Sequence, residues 1–343
     1  MSEDQPFVSI CTPTYNRRPF IECMFECFRH QTYPRDKMEW IIVDDGTDKI
    51  EDLIKQSNLP QIRYFKVKKK MKLGEKRNFM HKYVKGSIIV YMDDDDYYPP
   101  QRVEHCVETL LANPRALCAG SSELYIYFKH IDKMYQSGPF GDTHATAGTF
   151  AFKKELLNHS KYDDNASLAE ERSFLKDYSI PFVQLDPMKT ILVFSHNHNS
   201  FDKKNMLQNS NQQYFKESSK QVRDFIRQEN EESIYRFFME EIDELLENYL
   251  PGTPENKPDV IQQLNEIRTQ REHMEQQANQ SASIMIEVPG QGKRPLSPQE
   301  IVQMLTQQQN QIKFLVSKVK ELENQLLQKQ MNEAINGNFS YST

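Results

Sequence analysis

Four consecutive aspartates, Asp93 to Asp96, follow the apolar run Ser87-Ile88-Ile89-Val90-Tyr91-Met92. A short buried strand that runs into a dense carboxylate cluster is suited to a hard divalent cation, which takes oxygen ligands and keeps positions open for phosphates. A solvated acidic turn has the same composition, so the cluster has to be weighed with its surroundings. Thr12-Pro13-Thr14-Tyr15-Asn16-Arg17 follows an earlier strand-like run, Asp44-Asp45-Gly46-Thr47 follows another, and Gly74-Glu75-Lys76-Arg77-Asn78 opens a helical pattern. Open α/β sheets bind ligands at the carboxyl ends of their strands, so these motifs converge on one rim, which unrelated solvated turns would have no reason to do. The basic run Lys66, Lys68, Lys69, Lys70, Lys72, Lys76, Arg77 could face an anionic ligand there or form a solvated face.

The elements that must position these groups are read from hydrophobic periodicity. Strand-like runs at Phe7 to Thr12, Trp40 to Val43, Ile62 to Val67 and Ser87 to Met92 alternate with helical patterns, which predicts a parallel sheet covered on both faces. Pro19 opens the first helix, with Cys23 and Cys27 on one face, and Gly74 to Lys85 and Gln101 to Ala112 are further helices. Strand signals then become denser at Leu117 to Ser121, Leu124 to Phe128, Gly148 to Phe152, Phe182 to Leu185 and Thr190 to Phe194, with a helix from Leu168 to Tyr178, which predicts a mixed sheet. Trp40 is assigned to the core.

Beyond Phe201 the composition shifts to Gln, Asn, Glu and Lys. The expected organisation is a catalytic-type α/β domain over 1–204, a helical accessory region over 205–286 broken at Leu250-Pro251-Gly252-Thr253-Pro254, a linker over 287–299, a coiled-coil segment over 300–330 and a disordered tail over 331–343. Ile301, Leu305, Gln308, Ile312, Leu315, Val319, Leu322 and Leu326 alternate spacings of four and three, the pattern of a self-associating coiled coil. A helix docked on its own domain would show a similar stripe.

A net charge of −6 gives no electrostatic case for nucleic acid. No basic start followed by an apolar stretch, and no uninterrupted run of about 18 apolar residues, points to a signal or a transmembrane segment. The five cysteines, Cys11, Cys23, Cys27, Cys106 and Cys118, lack Cys-x-x-Cys spacing and read as reduced, buried thiols. A cytoplasmic location is expected: in a bacterial cell, or in host cytoplasm or a virion for a viral protein.

Over about residues 6 to 201 these motifs strongly resemble the family 2 glycosyltransferases, inverting, nucleotide-sugar-dependent enzymes of the GT-A fold. The resemblance implies a Rossmann-like mixed sheet flanked by helices, a UDP-sugar donor and a glycan or glycoprotein acceptor. It places Pro13, Thr14, Tyr15 and Arg17 around the base, Asp44 or Asp45 at the base's polar edge, which would favour uracil, and Lys72 and Arg77 near the base and pyrophosphate. Asp93 would face the ribose, with Asp94 beside it, and Asp95 would hold the metal, although Asp94 and Asp96 form an equally spaced pair. Ala169-Glu170-Glu171 resembles the acidic pair at a helix start and implies Glu171 as general base, with Glu170 positioning the acceptor or serving as base in its place. His196-Asn197-His198 resembles a closing motif in which a histidine joins the metal; His198 is preferred to His196, and an imidazole beside carboxylates favours Mn²⁺ over Mg²⁺. Gly148 to Phe152 would line the donor sugar, and Ser137 to His144 would form a mobile loop over the site. A sugar-phosphate nucleotidylyltransferase is disfavoured because its Gly-rich loop is absent at Thr12 to Arg17; a degenerate scaffold acting through its coiled coil is the rival from another class.

Overall fold

A computed structural model describes residues 5–168, 170–209, 211–227, 229–281, 285–288 and 292–337. The first strand, β1 (Val8–Thr14), is followed by α1 (Ile21–Arg29), β2 (Met38–Asp44), α2 (Glu51–Gln56), β3 (Ile62–Lys66), α3 (Leu73–His81), β4 (Ile88–Tyr91) and α4 (Arg102–Ala112). Strands β1 to β4 pair in parallel in the order β3-β2-β1-β4, with Thr14 beside Asp44, Asp44 beside Lys66 and Cys11 beside Tyr91. This register brings the polar motifs to one rim. Their near-continuous apolar sequence follows from burial on both faces. Val8, Ile10, Trp40, Ile42, Ile88 and Val90 pack with α1 and α4 on one side, while Cys11, Ile41, Val43, Ile89 and Tyr91 pack with α3 on the other. Each fully buried aliphatic side chain contributes about 1.5–3 kcal/mol relative to exposure. Trp40 is fully buried, stacked on Phe28 at 4.6 Å and edge-on to Phe25 at 5.9 Å.

The sheet continues as β4-β8-β5-β9, formed by β5 (Cys118–Gly120), β8 (Ala151–Lys153) and β9 (Phe182–Gln184), with β8 antiparallel to both neighbours. Mixed pairing flanked by helices is the architecture that the resemblance implied. A second sheet, ordered β10-β6-β7-β11, contains β6 (Leu124–Phe128), β7 (Lys133–Ser137), β10 (Leu192–Phe194) and β11 (Phe215–Ser218). Two of these strands escape periodicity: Lys133-Met134-Tyr135-Gln136-Ser137 has no clean alternation, and Phe215-Lys216-Glu217-Ser218 lies in a stretch with helical composition. The helix expected from Leu168 to Tyr178 is reduced to α5 (Glu171–Phe174), because Lys176, Asp177 and Tyr178 take positive φ of 49°, 53° and 62°. Left-handed non-glycine residues cannot extend a right-handed helix.

The helical region comprises α6 (Lys204–Asn209), α7 (Glu232–Arg236), which passes through a π-helical turn (Phe237–Glu241) into α8 (Ile242–Glu247), and α9 (Pro258–Ser281). Contacts divide the chain into units 1–266 and 267–343, so the compact unit ends within α9 and not at 204. The reason is apolar: Phe194 stacks on Phe238 at 4.0 Å, and Ile234, Phe237, Ile242 and Leu246 join the main core. In the second unit, β12 (Met285–Val288) and β13 (Gly292–Pro295) pair antiparallel where a linker was expected, and Pro289 to Gln291 lie outside the described residues. The last helix, α10 (Pro298–Gly337), continues through the first seven residues of the expected tail; 338–343 lie outside the described residues. Among the described residues no helix is long and apolar enough to cross a membrane. All five cysteines are free and buried.

Candidate active site

The parallel half of the sheet ends where its residues turn polar, and the turn after each strand is held by its own hydrogen bonds. Thr12 Oγ1 donates to the Met92 carbonyl at 2.5 Å and accepts from Trp40 Nε1 at 2.9 Å, locking β1 against the end of β4. Arg102, fully buried at the start of α4, donates to the carbonyls of Tyr91 at 3.1 Å and Phe150 at 3.0 Å, which draws β4 and β8 together below the aspartates. A Cβ added at Gly148 would stand 2.9 Å from Asp93 Oδ2, so the turn before β8 reaches the carboxylate only because it carries no side chain there.

A cleft of about 170 Å³ opens over this rim, lined by Pro13, Tyr15, Arg17, Lys70, Lys76, Arg77, Asp93, Asp94 and Asp95 together with Ser167, Ser200, Lys257 and Asp259. Asp93 Oδ1, Asp94 Oδ2 and Asp96 Oδ1 are buried without hydrogen-bond partners. Burial and the charge of Asp95 push Asp94 up to about 7, and burial pushes Asp93 upward as well. Burial acts upward on Asp95 too, but Arg17 and His196 outweigh it and hold this carboxyl well below its ordinary value. Crowded carboxylates with open oxygens fit a divalent cation. Among the described residues no three His, Cys, Asp or Glu side chains converge in ready-made metal geometry, and the Arg17 guanidinium lies 3.1 Å from Asp95 and 3.6 Å from Asp94.

His196, not His198, meets the aspartates: its Nε2 is 3.4 Å from Asp95 Oδ2 and 2.8 Å from Asn199 Nδ2, its Nδ1 accepts from the His198 N–H at 3.2 Å, and burial draws the imidazole down to about 3, so it is neutral; as a ligand it would have to release the Asn199 amide. His198 contributes its carbonyl to Arg17 at 2.7 Å, while its ring lies against Tyr249 and its buried Nδ1 has no hydrogen-bond partner. The short turn closed by Asn199 N–H on the His196 carbonyl sends the two rings to different neighbours.

The acidic pair after β2 is placed differently from the expectation. Asp44 accepts from Gly46 N at 2.9 Å, Ile50 N at 3.1 Å and Tyr64 Oη at 2.6 Å, so its carboxylate closes its own turn and presents nothing to a base. Asp45 is buried between Lys76 and the Met71 N–H at 2.6 Å. Replacing Asp44 with asparagine should therefore cost about 2 kcal/mol of stability in a urea titration, the scale of a lost charge-assisted bond, without changing the order of affinities among nucleotides. Lys72 is exposed ahead of α3; Lys70 and Lys76 line the cleft, both over the Tyr15 ring at 4.8 and 5.7 Å. Thr14 is buried, and its carbonyl accepts from Lys76 at 3.2 Å.

Arg77 joins the donor side to the acidic pair. Its guanidinium is buried over the Tyr91 ring at 4.3 Å, bonded to Glu170 at 2.9 Å and 3.6 Å from Asp93, with Nη1 unpartnered. Glu170 is thus engaged and Glu171 is the freer of the two. Burial, with the Glu170 charge next, pushes Glu171 up to about 7. Ala169 lies outside the described residues.

Two charged groups lining the cleft were not singled out from the sequence, Lys257 and Asp259, the latter paired with Lys70 and accepting from Ser167 Oγ at 3.0 Å. Lys70 was visible in the basic run, whereas nothing local marks Lys257 and Asp259 in a Pro-rich break. Asn16, at φ 52°, accepts from the N–H groups of Thr47 at 2.7 Å and Asp48 at 3.0 Å and so ties the first two rim turns together.

A mixed α/β domain with carboxylates and cations facing one another at the carboxyl ends of its strands places a ligand site where open α/β sheets hold theirs. Residues 9–168 match the model of Glycosyl transferase family 2. The chain is 30% identical over 114 residues to a putative teichuronic acid biosynthesis glycosyltransferase, TuaG, of Bacillus subtilis, covering 32% of this chain and 44% of that relative. It is 31% identical over 108 residues to the putative glycosyltransferase EpsH of Bacillus subtilis, covering 31% of each. An uncharacterized glycosyltransferase of Haemophilus influenzae is 29% identical over 107 residues, 31% of this chain and 35% of that one. The chain thus spans less than half the length of these relatives. Among solved structures, the mannosyltransferase PcManGT from Pyrobaculum calidifontis, in complex with GDP-Man and Mn²⁺, is similar at 18% identity and a TM-score of 0.47, over 57% of this chain and 59% of that one. S. aureus TarS 1–349 is similar at 16% identity and 0.42, over 55% and 60%.

Proposed function

We propose that the protein transfers a hexose from a UDP-sugar to a hydroxyl of a glycan or glycoprotein acceptor, with inversion and with a divalent cation, Mn²⁺ or alternatively Mg²⁺. The observation that carries this reading is the meeting of unpartnered carboxylate oxygens with lysines and arginines in one small cleft, an arrangement complementary to a metal-bound nucleoside diphosphate. Asp95 and His196 would hold the cation, with Asp94 beside them, and the cation when bound would offset the negative charge of the leaving diphosphate. Arg17, Lys70 and Lys76 would face the phosphates and the base-side wall formed by Pro13 and Tyr15. Glu171 would take the proton of the acceptor hydroxyl as its oxygen bonds to the anomeric carbon. The bond from that carbon to the diphosphate oxygen breaks in the same displacement, and the electron pair leaves with UDP.

The test is a thermal-shift panel of UDP, GDP, CDP and dTDP with and without Mn²⁺, since a ligand of the folded state raises stability by RT ln(1 + [L]/Kd). A shift of several degrees with UDP and Mn²⁺ together is expected. A different preferred nucleotide would correct the base, which Asp44 and Asp45 no longer select; no shift with any of them would favour the scaffold reading.

We also propose self-association through α10. Leu305, Ile312, Leu315, Val319 and Leu322 of the heptad stripe are all more than half exposed; the Leu326 side chain lies outside the described residues. Phe314 and Val316, off the stripe, are exposed as well, at 68% and 50%. Light scattering should give an oligomer for the full chain and a monomer for residues 1–266; a monomer in both removes the coiled coil.

A further inference from the structure

The segment from Tyr249 to Gln263 lies beyond the residues matched by the family, yet it crosses the cleft and is fastened to it at both ends. Tyr249 Oη donates to Asp48 at 2.9 Å, Asn16 Nδ2 to the Pro251 carbonyl at 2.9 Å and Tyr15 Oη to the Asn256 carbonyl at 3.1 Å. On the far side the Ser167 N–H donates to Gln263 Oε1 at 2.7 Å. Gly252 passes so close that an added Cβ would lie 2.5 Å from the Asn16 carbonyl oxygen and 2.8 Å from His198 Nδ1.

This strap carries Lys257 into the cleft, where the residue is only 5% exposed. Each of the other lining cations has a carboxylate: Arg17 has Asp94 and Asp95, Lys70 has Asp259, Lys76 has Asp45, and Arg77 has Glu170 and Asp93. The Lys257 ammonium is hydrogen-bonded to two neutral oxygens, the His198 carbonyl at 3.2 Å and Ser200 Oγ at 3.1 Å, and among the described residues it forms no ion pair. A lysine removed from water and held by neutral groups loses hold of its charge unless an anion completes its shell, and burial with the Arg17 charge draws Lys257 down to about 7. The cleft it lines is the one assigned above to a nucleoside diphosphate.

We infer that Lys257 is a diphosphate-binding residue, so that the donor site is completed by the helical region and is not contained in the family domain alone. The inference rests on the donor-site reading of the cleft. It also explains why the compact unit extends into α9: the strap is a wall of the site.

The test is calorimetric titration of UDP, inorganic pyrophosphate and uridine, with Mn²⁺ present, into the full-length wild type and its Lys257→Met, Lys257→Gln and Lys257→Arg variants. Methionine keeps the length without the charge; glutamine also keeps a donor for the His198 carbonyl and serves if methionine does not fold. The uncharged variants should lose about tenfold or more in affinity for UDP and pyrophosphate while uridine changes less than about twofold, and Lys257→Arg should restore most of the loss. Equal losses for uridine and UDP, or unchanged UDP affinity in a folded uncharged variant, would overturn the role of Lys257 alone. A wild type that binds neither UDP nor pyrophosphate would overturn the donor-site reading and this inference with it.

Discussion

Asp95→Asn is expected to lower sugar transfer by about a thousandfold or more, because in the proposed mechanism it weakens the cation's hold and with it several kcal/mol of charge stabilisation at the leaving diphosphate. Asparagine is chosen because it keeps the size of the side chain and leaves an oxygen for Arg17, now 3.1 Å from Asp95. The unliganded protein should also melt lower, because Arg17 and His196 hold the Asp95 carboxylate well below its ordinary value and so stabilise its charged form in the fold, with the relief of repulsion on Asp94 returning part of the loss. The distinguishing readout is the nucleotide shift itself. UDP should still raise the melting temperature slightly, but Mn²⁺ should add little to it. A variant that retains the full Mn²⁺ increment would place the cation on other carboxylates, with Asp94 and Asp96 the next pair to replace.

Glu171→Gln should lower kcat/KM by about 10²- to 10⁴-fold, the contribution of a positioned general base, while UDP affinity stays within about twofold. The pH profile supplies a second check. Burial and the neighbouring Glu170 charge push Glu171 up to about 7, so the fraction in the basic form falls as pH drops through that value. kcat/KM of the wild type should therefore rise with pH to about 7 and level above it, and this limb should vanish in Glu171→Gln. If the limb survives and activity is retained, Glu171 is not the base. Glu170→Gln is a different experiment, because Glu170 is bonded to the buried Arg77 at 2.9 Å and its loss leaves that guanidinium short of a partner.

The parallel half of the fold was legible in the sequence because a strand buried on both faces reads as a continuous apolar run, and β1, β2 and β4 each alternate between the two cores. Lys133–Ser137 and Phe215–Ser218 were not, since short strands with mixed polarity depend on cross-strand partners far away in sequence for their identity. The Leu168 to Tyr178 helix was overestimated because nothing in Lys176-Asp177-Tyr178 announces three left-handed residues.

Residue types and spacing alone determined that carboxylates, arginines and an acidic pair would gather at one sheet edge, because strand order and chain direction place strand ends together whatever the side chains do. Tertiary structure alone decided which of them face the cleft. Asp44 closes its own turn, Asp45 is held by Lys76 and Met71, His196 turns to Asp95 while His198 turns away, and Lys257 arrives from more than 50 residues beyond the last strand of the second sheet's parallel pair, β10. Each outcome depends on the direction of a side chain and on which distant donor reaches it first. Such choices are settled by packing of segments remote in sequence, and periodicity carries no record of them.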